Sequence, residues 1–239
     1  MSPAVVLLHG FTNTARSWDD VVAALPAGYR SLAPDIRGHG AASAIRPVTL
    51  RGVIEDIDAA APERFTLAGY SMGGRIALHA ALELPERVRR LVLVGASPGL
   101  KGAVARAERR AADERLADVA ERLTITEFSD RWAKTPVLAG QPDDVRAAVD
   151  ADRRRNRPDG LAAALRGLGT GALPSLWPRL RELEIPVELI VGELDAKFRA
   201  TAAQMAQELP DAHVTVVAGA GHAVHLERPG AVAEIISRA

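Results

Sequence analysis

The chain has 239 residues, 48% hydrophobic and 25% charged, enough apolar sequence to bury the core of one α/β domain. Its 30 Lys and Arg are balanced by 30 Asp and Glu, so the formal net charge is +0 and no bulk attraction to nucleic acid or to an anionic membrane is expected. Cysteine is absent, which excludes disulfides, thiol catalysis and thiolate metal sites, and MSPAVVLLHG shows no basic leader or cleavage site, so a cytoplasmic protein is the simplest expectation.

The first apolar run, AVVLL at 4–8, reads as a strand ending in His9-Gly10-Phe11. Ser17-Trp18-Asp19-Asp20 resembles a capping box opening a helix, and RSLAP at 30–34 is the second strand candidate. RFTLA at 64–68 is the third, followed by Gly69-Tyr70-Ser71-Met72-Gly73 and a helix that Pro85 closes. RLVLV at 90–94 is the fourth. From Ser97 to about Leu183 no strand candidate occurs, only Arg- and Ala-rich helical sequence broken by Pro136, Pro142, Pro158 and the Gly167–Gly171 cluster. VELIV at 187–191 and HVTVV at 213–217 complete the set. Continuous apolar strands separated by helices imply a mostly parallel sheet covered on both faces. The expectation is a single α/β domain over 1–239, with the insertion at about 97–183 forming a helical lid over the carboxyl ends of the strands.

Strand, Gly69-Tyr70-Ser71-Met72-Gly73, then helix is the setting of a nucleophile elbow, a strained turn that tolerates no β-carbon at its flanking glycines. Serine needs a base. Asp195 follows the fifth strand in GELDAKF and His222 follows the sixth in GAGHAVHLE, giving the order Ser, Asp, His with all of them on one rim. Asp195 has an alternative as a helix N-cap, and His225 is a rival to His222; Gly219 and Gly221, which free the backbone around the loop tip, favour His222. His39, His79 and His213 read as structural. The loop after the first strand can aim the Phe11 N–H, with the Met72 N–H, at an oxygen that gains negative charge. Arg75 lies one helical turn after Ser71 and on the same face, close enough to reach the site the serine faces.

LLHGF, DIRGHG, GYSMGG, GELDAKF and GAGHAVHLE together resemble the α/β-hydrolase superfamily from Val5 to about Ile236. GYSMGGRIALHAALELPERVRRLVLVGASPGL, the segment Trp132-Ala133-Lys134-Thr135-Pro136-Val137, LAAALRGLGTGALPSLW and GELDAKF are more narrowly similar to the menaquinone-pathway family of 2-succinyl-6-hydroxy-2,4-cyclohexadiene-1-carboxylate synthases. That resemblance implies a carbon–oxygen lyase on a hydrolase scaffold, which eliminates pyruvate from 2-succinyl-5-enolpyruvyl-6-hydroxy-3-cyclohexene-1-carboxylate by abstracting a ring proton. No metal and no other cofactor is implied, and the partner is a small polycarboxylate. Residue by residue it places carboxylate-binding arginines at Arg75, Arg109 and Arg153 and pocket-lining residues at Tyr70 and Trp132. Arg106, Arg110, Arg154 and Arg155 are neighbours that read as solvated helix faces. Arg37 stands where the superfamily often has Pro, and Leu173 where the narrower family would have Gln. Two other classes share much of this pattern: a hydrolase of an ester, lactone or C–C bond, and a non-hydrolytic ligand receptor.

Overall fold

Each apolar run becomes a strand of one sheet. The computed structural model describes residues 3–138 and 140–238. In it β1 (Ala4–Leu8), β2 (Arg30–Leu32), β3 (Phe65–Tyr70), β4 (Val88–Val94), β5 (Val187–Gly192) and β6 (Ala212–Val217) form a six-stranded sheet in the order β2-β1-β3-β4-β5-β6. Every neighbouring pair is parallel. The pairings Leu8↔Gly69, Tyr70↔Val94 and Gly192↔Val217 align the carboxyl ends of the central strands along one rim.

The alternation of β1 shows how both faces are covered. Val5 and Leu7 point into a cluster with Trp18, Val21, Val232 and Ile235, supplied by the segment around α1 (Asp19–Ala24) and by the C-terminal helix. Val6 and Leu8 point the other way, toward Ile54 and Ile57 of α2 (Leu50–Ala60) and Ile76 of α3 (Met72–Glu83). Burying each such aliphatic side chain stabilises the fold by about 1.5 to 3 kcal/mol. The whole of β1 therefore reads as one apolar run and not as an alternating one.

Between β4 and β5 lie α4 (Ala103–Arg122), α5 (Ile125–Trp132), α6 (Asp143–Arg153) and α7 (Pro158–Leu168), and no strand is found among the described residues of that stretch. These helices have an apolar cluster of their own: Ala117 and Ala120 of α4, Phe128 of α5, and Leu161, Ala162 and Leu165 of α7. Arg166 ties α7 to α4 by pairing with Glu114 at 2.7 Å and Asp118 at 2.9 Å. After β5 come α8 (Ala196–Ala206), α9 (Val224–Glu227) and α10 (Pro229–Ser237). Among the described residues no helix is long and apolar enough to cross a membrane.

The capping box expected at Ser17-Trp18-Asp19-Asp20 does not form. A 3-10 turn at Ala15–Trp18 precedes α1, Thr14 caps it by accepting from Arg16 N, and the Ser17 hydroxyl donates back to Thr14 O at 2.9 Å. Once its hydroxyl is used inside that turn, Ser17 has none to offer α1. A true capping box lies at α5, where Thr124 Oγ1 accepts from Glu127 N and Glu127 Oε2 accepts from Thr124 N at 2.8 Å.

Candidate active site

The turn from β3 to α3 is strained at one residue. Ser71 has φ 50 and ψ −106, a left-handed backbone that a side-chain-bearing residue rarely adopts. Its N–H is held by Val94 O at 2.9 Å. The flanking glycines make the turn possible by their closeness: a β-carbon on Gly69 would meet Gly73 O at 2.5 Å, and one on Gly73 would meet Leu8 O at 2.2 Å. The consequence is that Ser71 stands at the rim with its hydroxyl raised off the sheet.

His222 reaches that hydroxyl from the loop after β6. Its Nε2 lies 3.2 Å from Ser71 Oγ, and its Nδ1 lies 2.6 Å from Asp195 Oδ2. An ionised carboxylate can only accept, so Nδ1 donates to Asp195, leaving Nε2 of the neutral ring to accept from the Ser71 hydroxyl. The other oxygen of Asp195 caps α8 by accepting from Phe198 N at 3.2 Å, so the N-cap contact and the contact to His222 coexist on this aspartate. Glu227 fixes the histidine loop by accepting from Gly221 N at 2.7 Å, a contact no motif announced. His225 lies fully buried against Tyr70 and Trp18, with ring centroids at 4.2 and 4.6 Å, and its ring nitrogens have no partner among the described residues. Burial and the neighbouring His222 push it down to about 3. His39 and His79 are buried too, while His213 is exposed on β6.

Phe11 lines the cavity beside Ser71, and Met72 directly follows that serine. Met72 is the first residue of α3, so its N–H has no partner within the helix. The loop that carries Phe11 begins at His9, whose Nε2 accepts from Ile36 N at 2.9 Å. That fixes the proton on Nδ1, which donates to Gly10 O at 2.9 Å. Burial lowers the pKa of this ring and so keeps it in the neutral form that the pattern needs. Thr12, next in the loop, sits at φ 69.

Above Ser71 is a cavity of about 50 Å³ lined by residues that include Phe11, Tyr70, Trp132, Gln141, Arg153 and His222. A second space of about 300 Å³, between α5 and α6, shares Leu138, Gln141, Val149 and Arg153 with it as walls. Arg153 is 2% exposed and is held by Ser129 Oγ at 3.0 Å and Thr12 Oγ1 at 3.3 Å. Gln141, absent from the sequence reading, is buried with an Nε2 that has no partner among the described residues; a single Gln between Gly140 and Pro142 gives no signal of its own.

Arg75 and Arg109 are not among the described residues lining that cavity. Arg75 turns toward α7, where Nη2 donates to Leu168 O at 3.4 Å, and its Nε has no partner among the described residues. Burial, reinforced by the charge of Arg109, pulls it down to about 10. Arg109 is paired with buried Asp113 at 2.7 Å and is partly exposed. Position on the helix face placed Arg75 near the serine; it did not fix the direction of a long, flexible side chain. Arg37 forks onto Asp56 at 2.6 and 2.8 Å, and Leu173 is buried; neither lines the cavity. Among the described residues no cluster of metal-ligating side chains is present.

Residues 5–235 match the Alpha/beta hydrolase family. A relative from Salmonella agona (strain SL483), named 2-succinyl-6-hydroxy-2,4-cyclohexadiene-1-carboxylate synthase, is 36% identical over 99% of this chain and 93% of its own. A Bacillus subtilis (strain 168) protein that provisionally carries the same name is 40% identical over 99% of this chain and 89% of its own. Among solved structures, MenH from S. aureus superposes with a TM-score of 0.92 at 30% identity, covering 99% of this chain and 92% of that one.

Proposed function

The chain belongs to the Alpha/beta hydrolase family and, within it, to the 2-succinyl-6-hydroxy-2,4-cyclohexadiene-1-carboxylate synthases, and from that premise we propose how its own residues carry out the elimination. The substrate, 2-succinyl-5-enolpyruvyl-6-hydroxy-3-cyclohexene-1-carboxylate, has an acidic ring hydrogen on C2, next to the succinyl ketone. Ser71 Oγ takes that proton while His222 takes the serine's own, with Asp195 holding the imidazole in the right tautomer. The ketone oxygen gains negative charge, which the Phe11 and Met72 N–H groups stabilise. Collapse of this enolate forms the C2–C3 double bond, shifts the ring alkene to C4–C5 and breaks the C5–O bond. Enolpyruvate leaves, takes the proton back from His222 and becomes pyruvate. No water is consumed and no ester to Ser71 forms.

The observation that supports this reading above the others is the relay Asp195–His222–Ser71 opening onto a cavity that a buried arginine also lines. A hydrolase of neutral esters has no use for a guanidinium there. Arg153 suits one carboxylate of the substrate. Tyr70 and Trp132 supply the apolar walls, and the α4–α7 helices act as the lid. A cytoplasmic location goes with this reading, because a polyanion does not cross a bilayer unaided and has to be met where it is made.

The test is to supply the cyclohexene substrate and measure pyruvate by coupled reduction, with intact-mass spectrometry during turnover. Pyruvate should be released in step with diene formation while the protein mass stays unmodified. A stoichiometric adduct on Ser71, or rapid turnover of small neutral esters without pyruvate release, would replace the lyase with a hydrolase.

A further inference from the structure

The loop that carries Phe11 is held from the lid. Asp152, at the end of α6 and 8% exposed, accepts from Thr14 N at 2.9 Å on one oxygen and from the Thr14 hydroxyl on the other. Asn156, 4% exposed and just beyond the helix, donates from Nδ2 to Thr12 O at 2.8 Å and accepts on Oδ1 from Gly40 N at 2.9 Å. Arg153, between them, donates from Nε to Thr12 Oγ1 at 3.3 Å. A single turn of the lid thus grips the backbone on both sides of Asn13, with Thr12 in a left-handed conformation that needs outside support.

A buried carboxylate has to find donors, and Asp152 takes both of these from one residue of the loop. The peptide that carries the Phe11 N–H lies one residue before Thr12, so a shift of Thr12 by a fraction of an ångström turns that donor away from the oxygen it serves. Oxyanion donors work only within a narrow range of distance, roughly 2.7 to 3.1 Å.

We propose that Asp152 and Asn156 are positioning residues for the oxyanion hole, and that the lid completes the hole by clamping Thr12 and Thr14. The same turn presents Arg153 to the cavity, so seating a substrate carboxylate and aligning the Phe11 N–H are done by one piece of structure. This rests on the roles assigned above to Phe11 and Arg153.

The test uses two readouts on Asp152→Asn, Asn156→Asp and Thr14→Val, with Arg154→Ala, the residue that caps the end of α6, as a control. The first is kcat and KM for pyruvate release. The second is the rate at which diisopropyl fluorophosphate labels Ser71, followed by intact mass; Ser71 Oγ displaces fluoride, and the developing P–O⁻ needs the same hole whatever the natural substrate is. The clamp variants should lose about 10- to 100-fold in both kcat and labelling rate, with KM within about threefold of the parent, because the hole acts on charge that exists only in the transition state. Thr14→Ser, which keeps the hydroxyl, should recover most of what Thr14→Val loses. Folded variants that label at the parental rate would overturn the proposal, as would a rise in KM with kcat and labelling retained. If Asp152→Asn does not fold, the Thr14→Val and Thr14→Ser pair decides. A parent protein that labels at Ser71 yet releases no pyruvate would sink the lyase reading and leave the clamp to be judged by labelling alone.

Discussion

His222 and His225 stand three residues apart, and their surroundings separate them completely: one bridges a carboxylate and a hydroxyl, the other is packed between aromatic rings. His222→Ala and Ser71→Ala should each lower kcat by roughly 10²- to 10⁴-fold, the range for loss of a positioned base. Asp195→Asn should keep the fold and lower kcat as well, and the losses should not add, since the residues act as a unit. His225→Phe should keep most of the activity; steady-state kinetics in which it proves as damaging as His222→Ala would reverse the assignment. At this scale the sequence was readable wherever a local rule governs. Gly69 and Gly73 announce the elbow because nothing larger fits, and Asp195 and His222 follow their strands directly. Asp152 was not readable, because its meaning lies in a partner distant along the chain, Thr14, while Gln141 and Glu227 belong to no motif that marks them.

Helix position predicts which residues share a face and leaves open where a long side chain ends. Arg75 follows Ser71 by one turn of α3 and yet extends to the end of α7. The strands were legible as continuous apolar runs, whereas the start of α1 was not, since the choice between a 3-10 turn and a capping box rests on one hydroxyl. Arg75 also gives a prediction at this scale. A buried cation with an unpaired Nε contributes little to folding, so Arg75→Met, which keeps the volume, should leave the thermal midpoint unchanged or higher. Because Arg75 lies off the cavity lining and points to the end of α7, the same change should leave kcat/KM largely intact. Arg153→Lys should fall between the parent and Arg153→Ala, because an ammonium keeps the charge and loses the fork. Thermal melts and kinetics on the same samples decide it: a large loss of kcat/KM with the midpoint retained would bring Arg75 into the site, and a large drop in midpoint would make it structural.

Across the whole molecule, acid stability should be set by histidines buried in the neutral form. Burial, with the charge of nearby groups, pushes His225 to about 3 and His79 to about 4, and it lowers His9 and His39 as well. In the unfolded chain each would titrate near its ordinary 6.5. Above that pH both states are neutral and the stability is fully present. Below it the unfolded chain binds protons that the folded chain refuses, so stability falls as pH drops from 6.5 toward the folded values. Each such histidine contributes about 1.4 kcal/mol per pH unit in that window, so His79 and His225 together should cost about 3 kcal/mol at one unit below 6.5. For a chain of this size that corresponds to a fall in thermal midpoint of roughly 6 to 12 °C. The lowered carboxylates Glu121 and Asp150 act in a separate window, below their ordinary 4.5 and 3.8, and do not contribute to this one. Thermal melts at half-unit steps from pH 7.5 to 5.0 measure the slope, and His225→Phe should flatten it by one histidine's share. A midpoint that stays level down to pH 5 would mean that these rings are protonated in the fold, which would contradict the unpartnered, aromatic surroundings of His225.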